Sequence, residues 1–341
     1  MQKLKNTIMS HGYFPVVLLV LSAALPLFIK TPYLLHICNL TFYMATGSMA
    51  WSILGGMTGQ NSLGHATFMG LGAYVSSLLV VKGNFSPWIA VFVAIITTGI
   101  MSMILFYPCF ILKGPYFTLV TIAFGEVFRN FFLNWDYAGK ASGIILPFGT
   151  DSLADFRFVS KVPYFYAGLI MVICVYLFIR KLERSKLGFA LKTIREDEDV
   201  ASAIGIDPTK YKVIAVGISA AITAFAGFYY AQYLRYIDPD IMLQTYSTEF
   251  VLPAIIGGIG YVSGPILGAF LLIPLSEFLR AQFGGTLPGL NLIVYSIVLI
   301  LMIRFQPTGI LGWWHNMKQK RLGKKDTSQF DTSEKGGPSC E

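Results

Sequence analysis

The sequence predicts an all-α fold: a polytopic transmembrane bundle of about ten spans with both termini on the cytoplasmic side. Three observations carry that expectation. Hydrophobic residues fill 55% of the 341 positions and charged residues only 13%, more apolar surface than one soluble core can bury. The apolar residues fall in runs of roughly 17 to 25, the length a helix needs to cross about 30 Å of hydrocarbon. Strand-like alternation is absent, which argues against a membrane barrel.

Taken in order, the first run is 13–29, preceded by Lys3 and Lys5. Ser22-Ala23-Ala24 resembles a signal-peptide cleavage site, but the many runs that follow favour a first span. A second run, 33–54, follows Pro32, and a third covers 62–81. The fourth is 87–112, and Lys113-Gly114-Pro115 then turns the chain into a fifth at 116–135. A segment containing Gly, Ser and Pro, 136–162, leads to a sixth at 163–179. The charged stretch 180–212 precedes a seventh at 213–234. Three further runs lie at 246–261, 264–280 and 290–303; Pro253, Gly257, Gly258 and Gly260 predict that the first of them is broken or tilted. Residues 1–317 thus form the transmembrane domain, and 318–341 a disordered basic tail.

Lysine and arginine set the orientation. With a cytoplasmic N-terminus, ten crossings bring Lys113, the 180–212 loop and the basic tail to one side. The other side receives scattered charges such as Lys82, Lys140, Arg157, Lys161 and Arg235. The net charge of +8 therefore reflects topology rather than nucleic-acid binding. Cys38, Cys109, Cys174 and Cys340 have no paired spacing, and His11, His36, His65 and His315 are too scattered for a metal site. No GxxxxGK[ST] sequence occurs, so nucleotide hydrolysis belongs to a partner, and no cofactor is expected.

Three places carry candidate functional side chains. In 55–81, Gln60, Asn61, Ser62 and His65 lie among Gly59, Gly64, Gly70 and Gly72. They read either as transient partners along a substrate path or as hydrogen-bonding glue between spans; a helix starting near Ser62 would aim amide donors at a carboxylate. Glu126 and Arg129, three residues apart within the fifth span, read either as a structural ion pair or as a substrate contact. In the charged loop, Thr193 and Glu196 have capping-box spacing, and Gly205 with Pro208 marks a stop. This predicts one short amphipathic helix over 194–204, with Ile194, Ala201 and Ile204 near one face. The glycines at 257, 258, 260, 264 and 268 echo those at 55, 56, 59 and 64, either as an internal repeat or as two sites of close helix packing.

Four blocks of this sequence resemble the membrane permease subunits of branched-chain amino-acid ABC importers, the hydrophobic amino-acid uptake family. They are GQNSLGHATFMGLGAY (59–74), GPYFTLVTIAFGEVFRNFFLNW (114–135), SKLGFALKTIREDEDVASAIGIDPTKYK (185–212) and GGIGYVSGPILGA (257–269). After the Asn134-Trp135 pair the family usually has Thr-Gly-Gly, where this chain reads Asp136-Tyr137-Ala138-Gly139-Lys140. The resemblance implies an inner-membrane importer in which the chain pairs with a second, similar permease, two cytoplasmic ATPases and an external solute-binding protein. It makes Thr193, Ile194, Arg195, Glu196, Asp197, Ala201, Ile204 and Gly205 a coupling helix seated in an ATPase groove. The chain itself is then not an enzyme. Two alternatives stand beside this reading: a urea or short-amide permease of the same machine, and an ion-coupled secondary transporter using Glu126, Glu249 or Glu277.

Overall fold

The computed structural model describes residues 31–283 apart from 113, 148 and 150, with isolated positions at 26, 293, 296, 297, 300, 304 and 309–313. The expected first span at 13–29, Lys113, most of the run 290–303 and the basic tail lie outside the described residues. Described helices are α1 (Pro32–Ser52), α2 (His65–Val81), α3 (Pro87–Phe106), α4 (Pro115–Asn134) and α5 (Val162–Glu183). They continue with α6 (Lys186–Glu196), α7 (Glu198–Ala203), α8 (Pro208–Leu234), α9 (Gln244–Gly257) and α10 (Gly264–Phe283). Among them α3, α4, α5, α8 and α10 are long and apolar enough to cross a membrane.

Proline sets where many helices begin. It occupies the first or second position of α1, α3, α4, α5 and α8. There its fixed φ suits the helix, and its missing N–H removes a donor that would otherwise lack a partner. Hydrogen bonds between elements define two ends of the bundle. At one, Arg195 donates to the Gly56 carbonyl (2.6 Å) and Thr118 to that of Asn61 (2.6 Å). At the other, Tyr33 donates to the Glu277 carbonyl (3.0 Å) and Trp88 to that of Leu153 (3.0 Å). Successive long helices run between these ends in alternating directions, and the 180–212 loop caps the first.

α1 and α8 form the centre. α1 is buried on all sides from Thr41 to Ser52. α8 approaches α2 through small residues: a methyl group on Gly72 would lie 2.4 Å from Ala224, and one on Gly227 would lie 2.1 Å from the Met69 carbonyl oxygen. Contact this close between helices replaces the hydrophobic drive that lipid cannot supply. α3 is peripheral, and Ile89, Phe92, Ile96, Ile100 and Ile104 form an exposed apolar stripe along one face, as a lipid-facing surface does.

Two segments depart from plain spans. At 14 residues α9 reaches roughly 21 Å, too short to cross the hydrocarbon alone, and it carries Pro253 inside. The 3₁₀ turn before it, Pro239–Met242, is mostly covered: Pro239, Ile241 and Met242 are buried, and Met242 packs on Gly70 in the middle of α2. The strands β1 (Ile144–Ile145) and β2 (Tyr236–Ile237) pair antiparallel, Ile144 opposite Ile237, and tie the loop after α4 to the end of α8.

The charged loop corrects one expectation. Instead of one helix over 194–204 there are two, α6 and α7, parted at Asp197. Asp197 is extended (φ −161°, ψ 121°), and its carboxylate accepts from the Asp199 and Val200 amides. Thr193 makes no capping box, because Ser185 caps α6 eight residues earlier and the Thr193 hydroxyl donates to Phe189 O in mid-helix. An aspartate followed by two acidic residues was the stronger N-terminal signal.

Candidate functional site

The segment 53–64, which turns the chain from α1 into the oppositely directed α2, is built in steps. α1 ends in a π-helical turn, Ile53–Thr58, and Gly59 closes it in the left-handed region (φ 73°). The chain then runs without regular structure to α2, which starts at His65 rather than near Ser62. Gly64 precedes the helix and has no side chain to cap it. The free amides are met from other helices instead: Thr121 accepts from Leu63 N (3.0 Å) and Ser247 from Ala66 N (2.8 Å).

The polar residues of this segment separate into two groups. His65 is fully buried, its Nε2 2.8 Å from the Ser219 hydroxyl, which itself donates to the Ala50 carbonyl (2.7 Å). Because that hydroxyl proton is committed, His65 Nε2–H is the donor, and the three residues knot α2, α8 and α1. Ser62 is buried, its carbonyl accepting from Trp51 Nε1 (2.8 Å). Gln60 reaches the Glu198 carboxylate (3.3 Å). Asn61 alone of the four is exposed.

Glu126 and Arg129 do meet, at 3.5 Å, but the stronger partner of Arg129 is Asp240, at 2.7 and 3.0 Å. Asp240 belongs to the irregular segment before α9, so the bond joins α4 to that segment. About half of the Glu126 and Asp240 side chains remains accessible, 45% and 56%, and a quarter of Arg129, which makes this an open cluster of charge on the face of a span. Sequence spacing did not reveal Asp240, which lies 111 residues away.

The α6–α7 loop grips the turn between α1 and α2. Arg195 donates to Gly56 O, and its side chain lies against both Gly59 and Gly260: methyl groups there would sit 3.3 and 3.4 Å from it. One residue beyond Asp197, Glu198 pairs with Lys212, whose side chain is only 3% exposed. Lys212 was a legible clue, since a lysine at the start of an apolar run needs an acid nearby. Ile194 and Ala201 face inward, whereas Ile204, expected beside them, is 66% exposed and joins Phe189 and Val200 as an outward apolar surface. Ile204 caps the C-terminus of α7 with non-helical dihedrals (φ −94°, ψ 12°) and does not follow Ala201 onto the inner face. A cleft of about 380 Å³ lies between α6 and the two glycine-rich breaks. Among the described residues no group of His, Cys, Asp and Glu has the makings of a metal site.

Helices of membrane length packed around α1 and α8, with an apolar stripe turned outward, define a multi-span membrane protein. The family model for the permease component of branched-chain amino acid transport systems matches residues 33–303, and the chain belongs to that family. It is 28% identical over 322 residues to the high-affinity branched-chain amino acid transport system permease protein LivM of Escherichia coli, covering 87% of this chain and 74% of that one. The permease protein LivH of the same organism is 31% identical over 161 residues, 47% of this chain and 49% of its own. BraD of Pseudomonas aeruginosa is 30% identical over 185 residues, covering 53% and 58%. No solved structure matches the chain.

Proposed function

We propose that this chain is the transmembrane permease of an ATP-driven importer of branched-chain amino acids, seated in a bacterial inner membrane by about ten spans with both termini in the cytoplasm. It works with a second, similar permease, two cytoplasmic ATPases and an external solute-binding protein. The observation that carries this reading is the bond from Arg195 to Gly56 O (2.6 Å), which ties the 180–212 loop to the turn between α1 and α2. An ATPase bearing on Phe189, Val200 and Ile204 moves α6 and α7, with Thr193–Asp197 as the lever arm and Ala201, Ile204 and Gly205 at its far end. Arg195 and Glu198 carry that motion to 56–60, on which α2 begins.

The substrate is a zwitterion with an apolar tail, and it needs polar partners along an otherwise apolar wall. We assign that role to Glu126, Arg129 and Asn61, joined by Asp240. Open charge on a span is costly against lipid and is at home beside water, so this face of α4 is turned toward the path between the two permeases. Gln60, Ser62 and His65 support the path from behind through their bonds to other helices.

Reconstitution in liposomes tests the assignment. Leucine uptake is expected only with both permeases, the ATPases, the binding protein and ATP, and this chain alone neither hydrolyses ATP nor transports. Robust leucine uptake by the chain alone would refute the proposal, and binding of urea rather than leucine by the cognate binding protein would refute the cargo.

A further inference from the structure

At the end of the bundle opposite the α6–α7 loop, a cleft of about 420 Å³ opens where three helices terminate. Its walls include His36 of α1, Arg157 and Lys161 of the loop before α5, Tyr164 of α5, and Tyr233 and Arg235 at the end of α8. Arg235 is the informative residue. It ends α8 in the left-handed region (φ 62°) and is only 7% exposed. Its guanidinium donates to Gln232 Oε1 (3.0 Å), Phe156 O (2.7 Å) and the Tyr164 hydroxyl (2.6 Å), all neutral acceptors.

The neighbouring cations are no better matched. Lys161 Nζ donates to a backbone carbonyl, Pro32 O, at 3.4 Å. Arg157 stands 3.7 Å from Asp155, a half-exposed carboxylate that does not line the cleft. Three cations therefore face one concavity, and among the described residues no carboxylate lines it. A buried guanidinium bonded only to neutral groups keeps most of its desolvation cost, and an anion entering the cleft offsets it.

The depth of the cleft selects the anion. α5 starts at Val162, directly after Lys161; α8 ends at Leu234, directly before Arg235; and α1 starts at Pro32. The cleft thus sits where spans leave the hydrocarbon. Beside it Leu153 and Val159 are 75% and 80% exposed, and the half-exposed Trp88 ring donates to Leu153 O. Bare aliphatic tips next to a tryptophan and basic side chains are the pattern of a membrane interface rather than of open water. We propose that this cleft seats the phosphate of an anionic phospholipid headgroup. The phosphate takes the charge of Arg157, Lys161 and Arg235, and the lipid tails lie against Leu153 and Val159.

The test uses the full-length protein, delipidated and returned to nanodiscs containing phosphatidylglycerol and phosphatidylcholine, with retained lipid counted by native mass spectrometry. The wild type is expected to retain phosphatidylglycerol over phosphatidylcholine by about tenfold, the scale set by one or two basic residues acting on an anionic headgroup. The double variant Arg157→Gln, Lys161→Gln is expected to lose that preference with its helical circular dichroism unchanged. Arg235 is left in place because its bonds to Phe156 and Tyr164 hold the loop. Should the double variant fail to fold, Lys161→Gln alone is expected to lower the preference severalfold. Equal retention of the two lipids by the wild type, or a preference that survives both substitutions, would overturn the proposal. Displacement of phosphatidylglycerol by inorganic phosphate at matched concentration would assign the cleft to a free anion and overturn the lipid reading. Equal retention of the two lipids together with binding of an external acidic protein domain that the double variant abolishes would assign the cleft to that partner and overturn the proposal.

Discussion

The two glycine-rich segments, 53–64 and 257–264, read alike as strings and lie side by side, yet their tightest contacts differ in kind: backbone at Gly257 and Gly264, a side chain at Gly55, where a methyl group would lie 2.2 Å from the Trp51 ring. A methyl group on Gly56 would stand 3.5 Å from Ser52 Cβ and 3.7 Å from Gly260 N, which is ordinary contact. One on Gly257 would lie 1.8 Å from the Gly264 carbonyl oxygen, and one on Gly264 would lie 2.5 Å from that of Gly258. The second segment closes backbone on backbone and has no room to change. The first is held by side chains reaching in from elsewhere: Arg195 on Gly56, Glu198 on Gln60, Thr118 on Asn61 and Thr121 on Leu63. A joint held by exchangeable hydrogen bonds has more than one arrangement within reach, whereas a joint held by close packing acts as a fixed stop. In the proposed importer cycle, 53–64 is the joint that changes and 257–264 the surface it works against.

The largest effect is expected where the fixed joint is forced. Gly257→Ala places a methyl group inside a backbone contact, and the cost should reach the upper range for overpacking, about 3 kcal/mol. Detergent-solubilised protein should show a clear fall in thermal midpoint or fail to accumulate. Gly56→Ala, the matched change in the other segment, should fold with a midpoint close to the wild type. Equal damage from both would erase the distinction between the joints.

The middle effect concerns function. Arg195→Ala removes a charge-assisted bond worth about 1.5–3 kcal/mol at most, less for a side chain as exposed as this one, so the protein should still fold and assemble. Leucine uptake by the assembled importer should nevertheless drop at least about tenfold, the equivalent of 1.4 kcal/mol, while ATP hydrolysis continues. Arg195→Lys, which keeps the charge but not the reach of the guanidinium, should recover part of the uptake. Parallel loss of uptake and hydrolysis would mean that Arg195 serves assembly rather than transmission.

Much of this architecture was legible in the sequence, because span length and proline position are local signals. The expected start at Pro87, the turn at Gly114-Pro115 and the short, interrupted segment near Pro253 all correspond to described elements. The missed features are those that depend on distant chain. Asp240 takes Arg129 from Glu126 only because the segment before α9 folds back beside α4. Ser219 and Ser247 were unremarkable letters until α8 and α9 brought them to His65 and Ala66. The start of α7 was missed for a different reason: the Thr193–Glu196 spacing matches a capping box, but α6 already runs through both residues and the next helix starts from Asp197. Ile204 was misplaced because α7 ends at Ala203, so the helical spacing that pairs it with Ala201 stops one residue short of it.

The smallest effect sharpens the comparison most finely. Thr118 lies in the first turn of α4 on the exposed side, and its hydroxyl donates to Asn61 O at 2.6 Å. Thr118→Ala removes one neutral hydrogen bond from the movable joint, a change of about 0.5–1.5 kcal/mol, and the carbonyl it leaves behind is close enough to water to find another donor. The thermal midpoint should hardly move. Uptake should change modestly in either direction, because the bond restrains 59–64 in one arrangement and its loss alters the balance between arrangements rather than destroying either. Thr118→Ser, which keeps the donor, should behave as the wild type. If Thr118→Ala instead unfolds the protein as Gly257→Ala does, the 53–64 joint is as rigid as its neighbour, and the moving element must be sought elsewhere in the bundle.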